Sequence, residues 1–303
     1  MAQTILSPVN DHVFKRVFGD NLPVLADFLH AALGLPVTEE DLTVIDPNFL
    51  ADKSEDKLGV LDVKVATKQY GLIDVEIQLQ WFGYLWKRFQ YYTARMYAQQ
   101  LYSGEHYDKL NRAISIILAN VTFLQESPAY HHRFSLYDAE HGIAYPDSME
   151  IHLFEIPKRQ QDGTPISDWL NFFAARTEEA FMQLAQTNSA IDKAWGVIRR
   201  LSGDEREREL AERREKALRD QAAAYAEMYD RGMAKGKEDG IKIGEANGIK
   251  IGEANGIKVG KVEERRRVAL SLRKLGASEE MICAATGYTP MELTQLAQGD
   301  VTS

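Results

Sequence analysis

Between Gly59 and Gln80 the sequence alternates twice with a period of two. Leu61, Val63 and Val65 fall on one side of Asp62 and Lys64, then Ile73, Val75, Ile77 and Leu79 alternate with Asp74, Glu76, Gln78 and Gln80. β-Branched residues at that period mark strands with one buried face, and Lys68-Gln69-Tyr70-Gly71 supplies a turn. A hairpin of this kind must sit in a sheet with an apolar layer against one side. With the helices and strands read along the rest of the chain, the fold is predicted to be α/β, with a mixed central sheet of four or five strands flanked by helices.

The pairing register carries the chemistry. A turn centred on Gln69 sets Asp62 across from Glu76, and one centred on Tyr70 sets Asp62 across from Gln78 and Lys64 across from Glu76. Either register gathers Asp62, Lys64, Glu76 and Gln78 on one face. Carboxylates with water completing the shell are what Mg²⁺ uses, and a metal so held polarises phosphate and activates water. An ordinary amphipathic hairpin with a solvated outer face would show the same alternation.

Flanking segments narrow the choice. Asp62 followed by Glu76-x-Gln78 resembles the metal site of PD-(D/E)XK nucleases, and in detail the Rpn family of recombination-promoting nucleases, also grouped with transposases. Ser7-Pro8-Val-Asn-Asp11-His-Val-Phe14-Lys15-Arg-Val-Phe18-Gly19 resembles the opening helix of that family. Arg88-Phe-Gln-Tyr91-Tyr92 with Gln100-Leu101-Tyr-Ser-Gly104-Glu-His-Tyr107 resembles its helix after the hairpin. The stretch from Leu275 to Thr289 is similar to its C-terminal end.

The resemblance implies a Mg²⁺-dependent DNA endonuclease, with Mn²⁺ able to substitute and DNA as its partner, and the single cysteine, Cys283, fits a cytoplasmic setting. It implies Asp62 and Glu76 as metal ligands, with the Ile77 carbonyl between them as a third. Asp11 matches an acid on the first helix that joins the metal site, although an acid there is also favoured by the helix dipole. Gln78 stands where the broad superfamily has lysine. An amide orients water but brings no positive charge, and Lys64 on the same face is expected to supply it. Arg88 and Gln99, near one face of the following helix, are expected to meet phosphate or water.

Composition limits these readings. The net charge of −9 argues against a protein that grips nucleic acid by bulk electrostatics, and predicts weak affinity without metal and strong salt sensitivity. The lone Cys283 forms no internal disulfide and fits a reducing compartment, and no Cys/His spacing suggests zinc. No apolar run is long enough to span a bilayer, and the N-terminus lacks a basic-then-apolar leader.

Helices are predicted near Asn10–Phe18, Leu22–Leu33, Tyr84–Leu101, Ser167–Thr187 and from Ser189 onward. Further strands are predicted at Leu42–Pro47, Ala113–Asn120 and Ser148–Ile156. His131, His132 and His141 fall in a loop-like stretch between Pro128 and Pro146. The nuclease-like domain is expected over 1–200. Next, over 201–262, come Arg/Glu blocks that read as a solvated helix, and an octapeptide repeat with glycine at every fourth residue from Gly232 to Gly260. The repeat is either a flexible linker or a helix that pairs with its own copy, making the protein at least a dimer. A small helical unit is expected over 263–303. Two other function classes remain open: a non-catalytic DNA-binding or self-assembling protein, and transposase-like strand transfer.

Overall fold

The computed structural model describes residues 4–45, 63–146 and 148–299. It divides into two compact units, Met1–Ala222 and Ala223–Ser303.

The first unit begins with α1 (Asp11–Phe14), which runs on through a π-helical turn at Lys15–Gly19, and α2 (Leu22–Leu33). Asn10 caps α1 by accepting from the His12 and Val13 amides. Strands β1 (Leu42–Ile45), β2 (Val63–Thr67) and β3 (Gly71–Gln78) then form an antiparallel meander. Gly71 is required at the β2–β3 turn. Its φ is 78°, and a Cβ there would collide with the backbone of Arg112, whose carbonyl accepts the Leu72 amide at 2.9 Å. The Thr67 hydroxyl closes the turn by donating to the Gly71 carbonyl and accepting from the Tyr70 amide.

After β3, the helix α3 (Leu85–Ala98) crosses back to β4 (Ala113–Ala119), which lies parallel to β3. β5 (His131–Ser135) follows, then a separate two-stranded ribbon of β6 (Tyr137–Asp138) and β7 (Ile143–Ala144), and β8 (Met149–Glu155). Among the described residues the main sheet has six strands in the order β1-β2-β3-β4-β8-β5, more than the four or five expected. The additional strand is β5, where His131 and His132 were expected in a loop. It pairs antiparallel with β8 alone, so its alternation is that of an edge and its outer residues Arg133, Phe134 and Ser135 stay exposed. His141 lies in the exposed turn between β6 and β7.

The two faces of the sheet differ in what they bury. Val63, Val65, Ile73 and Val75, with Ile114, Ile116 and Leu118, meet a layer of helices: α1, α2, α4 (Pro165–Ala174), α5 (Glu178–Ala185) and α6 (Ser189–Gly203). Its centre is an aromatic cluster in which Phe18 lies 5.5 Å from both Phe28 and Trp169. The opposite face lies under α3 and is split. Ile117, Ala119 and Leu153 pack against Leu85 and Phe89, whereas Lys64, Asp74, Glu76, Gln78 and Ser115 are buried polar groups.

α7 (Glu205–Lys274) begins in the first unit, and the boundary between units falls within it. The glycine repeat is helical along its whole length, so the linker alternative does not describe this segment. Each glycine costs about 1 kcal/mol relative to alanine in a helix interior, and the repeat leaves Ile243, Ile249 and Ile251 62% exposed. In the second unit α8 (Glu279–Thr286) and α9 (Pro290–Gly299) gather Ile282 and Leu293 around Ala269 of α7. Arg265 lies 3.9 Å above the Tyr288 ring and donates to the Gly287 carbonyl.

Candidate active-site cleft

The register of β2 and β3 decides which polar residues share a face. Val63 pairs with Val75 and Lys64 with Asp74, the ladder of a turn centred on Gln69. Of the two registers open to the sequence, this is the one in which Asp62 was expected across from Glu76. Asp62 itself lies outside the described residues. Strand alternation then sets Lys64, Asp74, Glu76 and Gln78 toward α3.

Glu76 and Gln78 lie toward the carboxyl end of β3, where a parallel sheet characteristically opens to a ligand. There they form the floor of a cleft of about 500 Å³, with Ile77 also in its lining. α3 supplies one wall through Arg88 and Tyr92, α1 supplies Asp11 and Lys15, and α7 supplies Arg214, Leu218 and Gln221. Arg88 pairs with Glu76 and lies 5.8 Å from the Tyr92 ring centroid. Lys15 Nζ lies 2.7 Å from one Asp11 oxygen and Arg214 Nε 3.7 Å from the other. Gln78 is turned by donating to the Gln80 carbonyl at 2.7 Å.

Two carboxylates and three cations thus line the cleft, a local excess of positive charge in a chain of net charge −9. Burial pushes the Glu76 carboxyl above the usual carboxylate range, while Arg88 and then Lys15 pull the other way. The charged form is therefore held by neighbouring cations and would be held better by a closer or more highly charged one.

The oxygen donors are hard, which suits Mg²⁺ or Mn²⁺ and not a thiolate-seeking metal. Among the described residues no group of three His, Cys, Asp or Glu side chains comes together to hold a metal ion. Asp11 and Glu76 line the same cleft, and each is paired there with a cation.

Two expected residues are not among those lining the cleft. Lys64 is buried one pair deeper along the same face, opposite Asp74, and burial lowers its ammonium pKa against the pull of that carboxylate. Gln99 follows Arg88 by eleven residues at the C-cap of α3, about 16 Å along the axis at 1.5 Å per residue. Sharing a helix face with Arg88 does not bring it to the same end of the strand.

Lys15 and Arg214 were not among the residues expected at the site. Lys15 had a local signal, the four-residue spacing from Asp11 that lets opposite charges meet on a helix. Arg214 sits inside an Arg/Glu block that reads as solvated. Its signal was the run Glu207, Ala211, Arg214, Leu218 at steps of four and three, one stripe of a helix. In the structure Ala211 is buried, its carbonyl accepts from Asn10 Nδ2 at 3.0 Å, and Glu207 meets His12 at 2.5 Å. These contacts seat the first turns of α7 on α1.

A mixed sheet flanked by helices, with Glu76-x-Gln78 at a strand end facing an acid on the first helix, defines a PD-(D/E)XK-like α/β protein. A model of the PD-(D/E)XK nuclease family transposases matches residues 8–228, well over half of the 303, and the chain belongs to that family. The match takes in the cleft wall on α7 and stops just before the glycine repeat. No curated protein and no solved structure matches the chain. Among the described residues no helix is long and apolar enough to cross a membrane.

Proposed function

We propose that this protein is a Mg²⁺-dependent DNA endonuclease that hydrolyses phosphodiester bonds, with Mn²⁺ able to substitute, and that it promotes recombination. The observation that carries the reading is the meeting of Glu76 and Gln78 from one strand with Asp11 from the first helix in a cation-lined cleft. Asp62, Glu76, the Ile77 carbonyl and Asp11 would hold the metal, which when bound polarises the phosphate and lowers the pKa of an attacking water. Gln78 orients that water. Arg88 and Lys15 carry the positive charge that lysine brings in other superfamily members and stabilise charge developing on the phosphate. Lys64, behind them, adds its field across Asp74.

Supercoiled plasmid incubated with Mg²⁺, and in parallel with EDTA, tests the reading. Nicking that requires the metal and disappears in Asp62→Ala is the expected result. Clean wild-type protein that leaves the plasmid intact would favour a non-catalytic DNA-binding or assembly role, and joined strands among the products would favour transposase-like transfer.

The assembly role has one observation of its own, the exposed isoleucines and bare glycines of the repeat helix. We propose that this helix pairs with a second copy, making the protein at least a dimer. Deleting residues 232–260 is then expected to lower the mass measured by light scattering, and an unchanged mass would remove the idea.

A further inference from the structure

Arg214 is placed as no stability argument requires. Its side chain is 65% exposed and its nearest carboxylate contact, to Asp11, is 3.7 Å through Nε. An exposed pair of that kind contributes about 0–1 kcal/mol at most. Yet the turn that carries it is anchored, through buried Ala211, the Asn10 hydrogen bond to the Ala211 carbonyl, and the Glu207 contacts with His12 and Arg16. Anchoring the helix fixes where the guanidinium can reach, and that place is the cleft holding Glu76 and Arg88.

A planar guanidinium matches phosphate oxygens through paired N–H donors, which a carboxylate contact made by Nε alone does not exploit. Asp11 holds both Lys15 and Arg214 at the rim, so the wall facing α3 presents two cations on one carboxylate. Gln221, two turns further along the same stripe, adds an amide donor to that wall.

We infer that Arg214 binds a backbone phosphate of the DNA, and that the first turns of α7 are a wall of the substrate site rather than the start of a solvated tail. The inference rests on the cleft being a DNA-cleaving site, and its test separates the two. The wild type, Arg214→Ala, Arg214→Lys and Arg213→Ala are compared in two measurements. Arg213 pairs with Glu209 on the same helix and lies outside the cleft lining.

The first measurement is fluorescence anisotropy with a short labelled DNA duplex in EDTA, across a salt series that begins at low ionic strength, where the weak metal-free affinity is greatest. Arg214→Ala is expected to weaken binding about tenfold and to lower the slope of log K against log[salt] by about one, with Arg214→Lys intermediate and Arg213→Ala like wild type. The second is plasmid nicking in Mg²⁺, where Arg214→Ala is expected to raise KM more than it lowers kcat. Equal behaviour of Arg214→Ala and Arg213→Ala in both measurements overturns the inference, as does a wild type that shows no affinity for the duplex. A wild type that binds but does not cut, with Arg214→Ala still weaker, removes the endonuclease reading and leaves the phosphate site standing.

Discussion

Two buried polar clusters lie on opposite faces of the same sheet, and they are built in contrasting ways. Under α3, Glu76 and Gln78 open onto a cleft, and their charge partners Arg88 and Lys15 come from helices that line it. On the other face, at the β8–β5 edge, Glu150 is held by Arg133 through two hydrogen bonds of 3.0 Å each and by His152 at 3.2 Å. His152 is in turn 3.0 Å from His131, whose ring stacks on Phe154 at 4.2 Å. The partners assign the protons: His152 donates through Nε2 to Glu150 and accepts at Nδ1 from His131. This ladder closes on itself. Burial of charge alone therefore does not mark a functional site here, and what distinguishes the cleft is that its cations are shared with an opening where a ligand can enter.

The sharpest way to break this comparison is to neutralise one acid from each cluster. Glu76→Gln is expected to reduce Mg²⁺-dependent nicking about a thousandfold by removing charge at the reacting centre. Its unfolding free energy should fall by about 1–2 kcal/mol, because Arg88 loses its carboxylate partner while burial of the carboxyl offsets part of that loss. Glu150→Gln is expected to affect stability and not activity. It should lower unfolding free energy in urea by about 2 kcal/mol, since it leaves a guanidinium and an imidazole unmatched, while the folded protein nicks plasmid as before. The cost is set below that of a fully buried pair because the Arg133 side chain is 56% exposed. A Glu150→Gln protein of normal stability and no activity would reverse the assignment of the two clusters.

A smaller effect sharpens the account of the closed ladder. Burial, with the neighbouring His152, His132 and Arg133, lowers the His131 pKa from 6.5 to about 4. The unfolded chain therefore takes up its proton first, so this contribution to stability is full above pH 6.5 and is lost as pH falls toward about 4. Glu150, lowered from 4.5 to about 2 chiefly by the His152 hydrogen bond, adds a second loss below pH 4.5. Urea midpoints measured across acid pH should show the two stages, and His131→Phe, which keeps a ring against Phe154, should flatten the first. A first stage of undiminished slope in that variant would place its origin elsewhere.

Much of the architecture was legible in the chain because it is local. The continuous apolar run at Ala113–Ala119, the alternation at Met149–Glu155, the helix ending at Gly34 with φ 68°, and the hairpin turn at Gly71 all follow from neighbouring residues. Asp11, Glu76 and Gln78 could be named because a short motif carries them. β5 was not legible, since it is an edge strand whose side chains answer to β8 rather than to their own period. Gln99 misled for a related reason, as helical phase says which face a residue takes but not how far along the strand it sits.

Alternation of side chains along the backbone set, without reference to any other segment, that a polar and an apolar face would divide this hairpin and that Glu76 and Gln78 would share one of them. Only the folded chain decided that α7, distant in sequence, would be pinned to α1 by Asn10 and Glu207 and so bring Arg214 beside Asp11. The physical reason is that side-chain direction follows from local backbone geometry, whereas the meeting of remote charges depends on how helices pack, and one residue of Arg/Glu block looks like the next until a neighbour buries it.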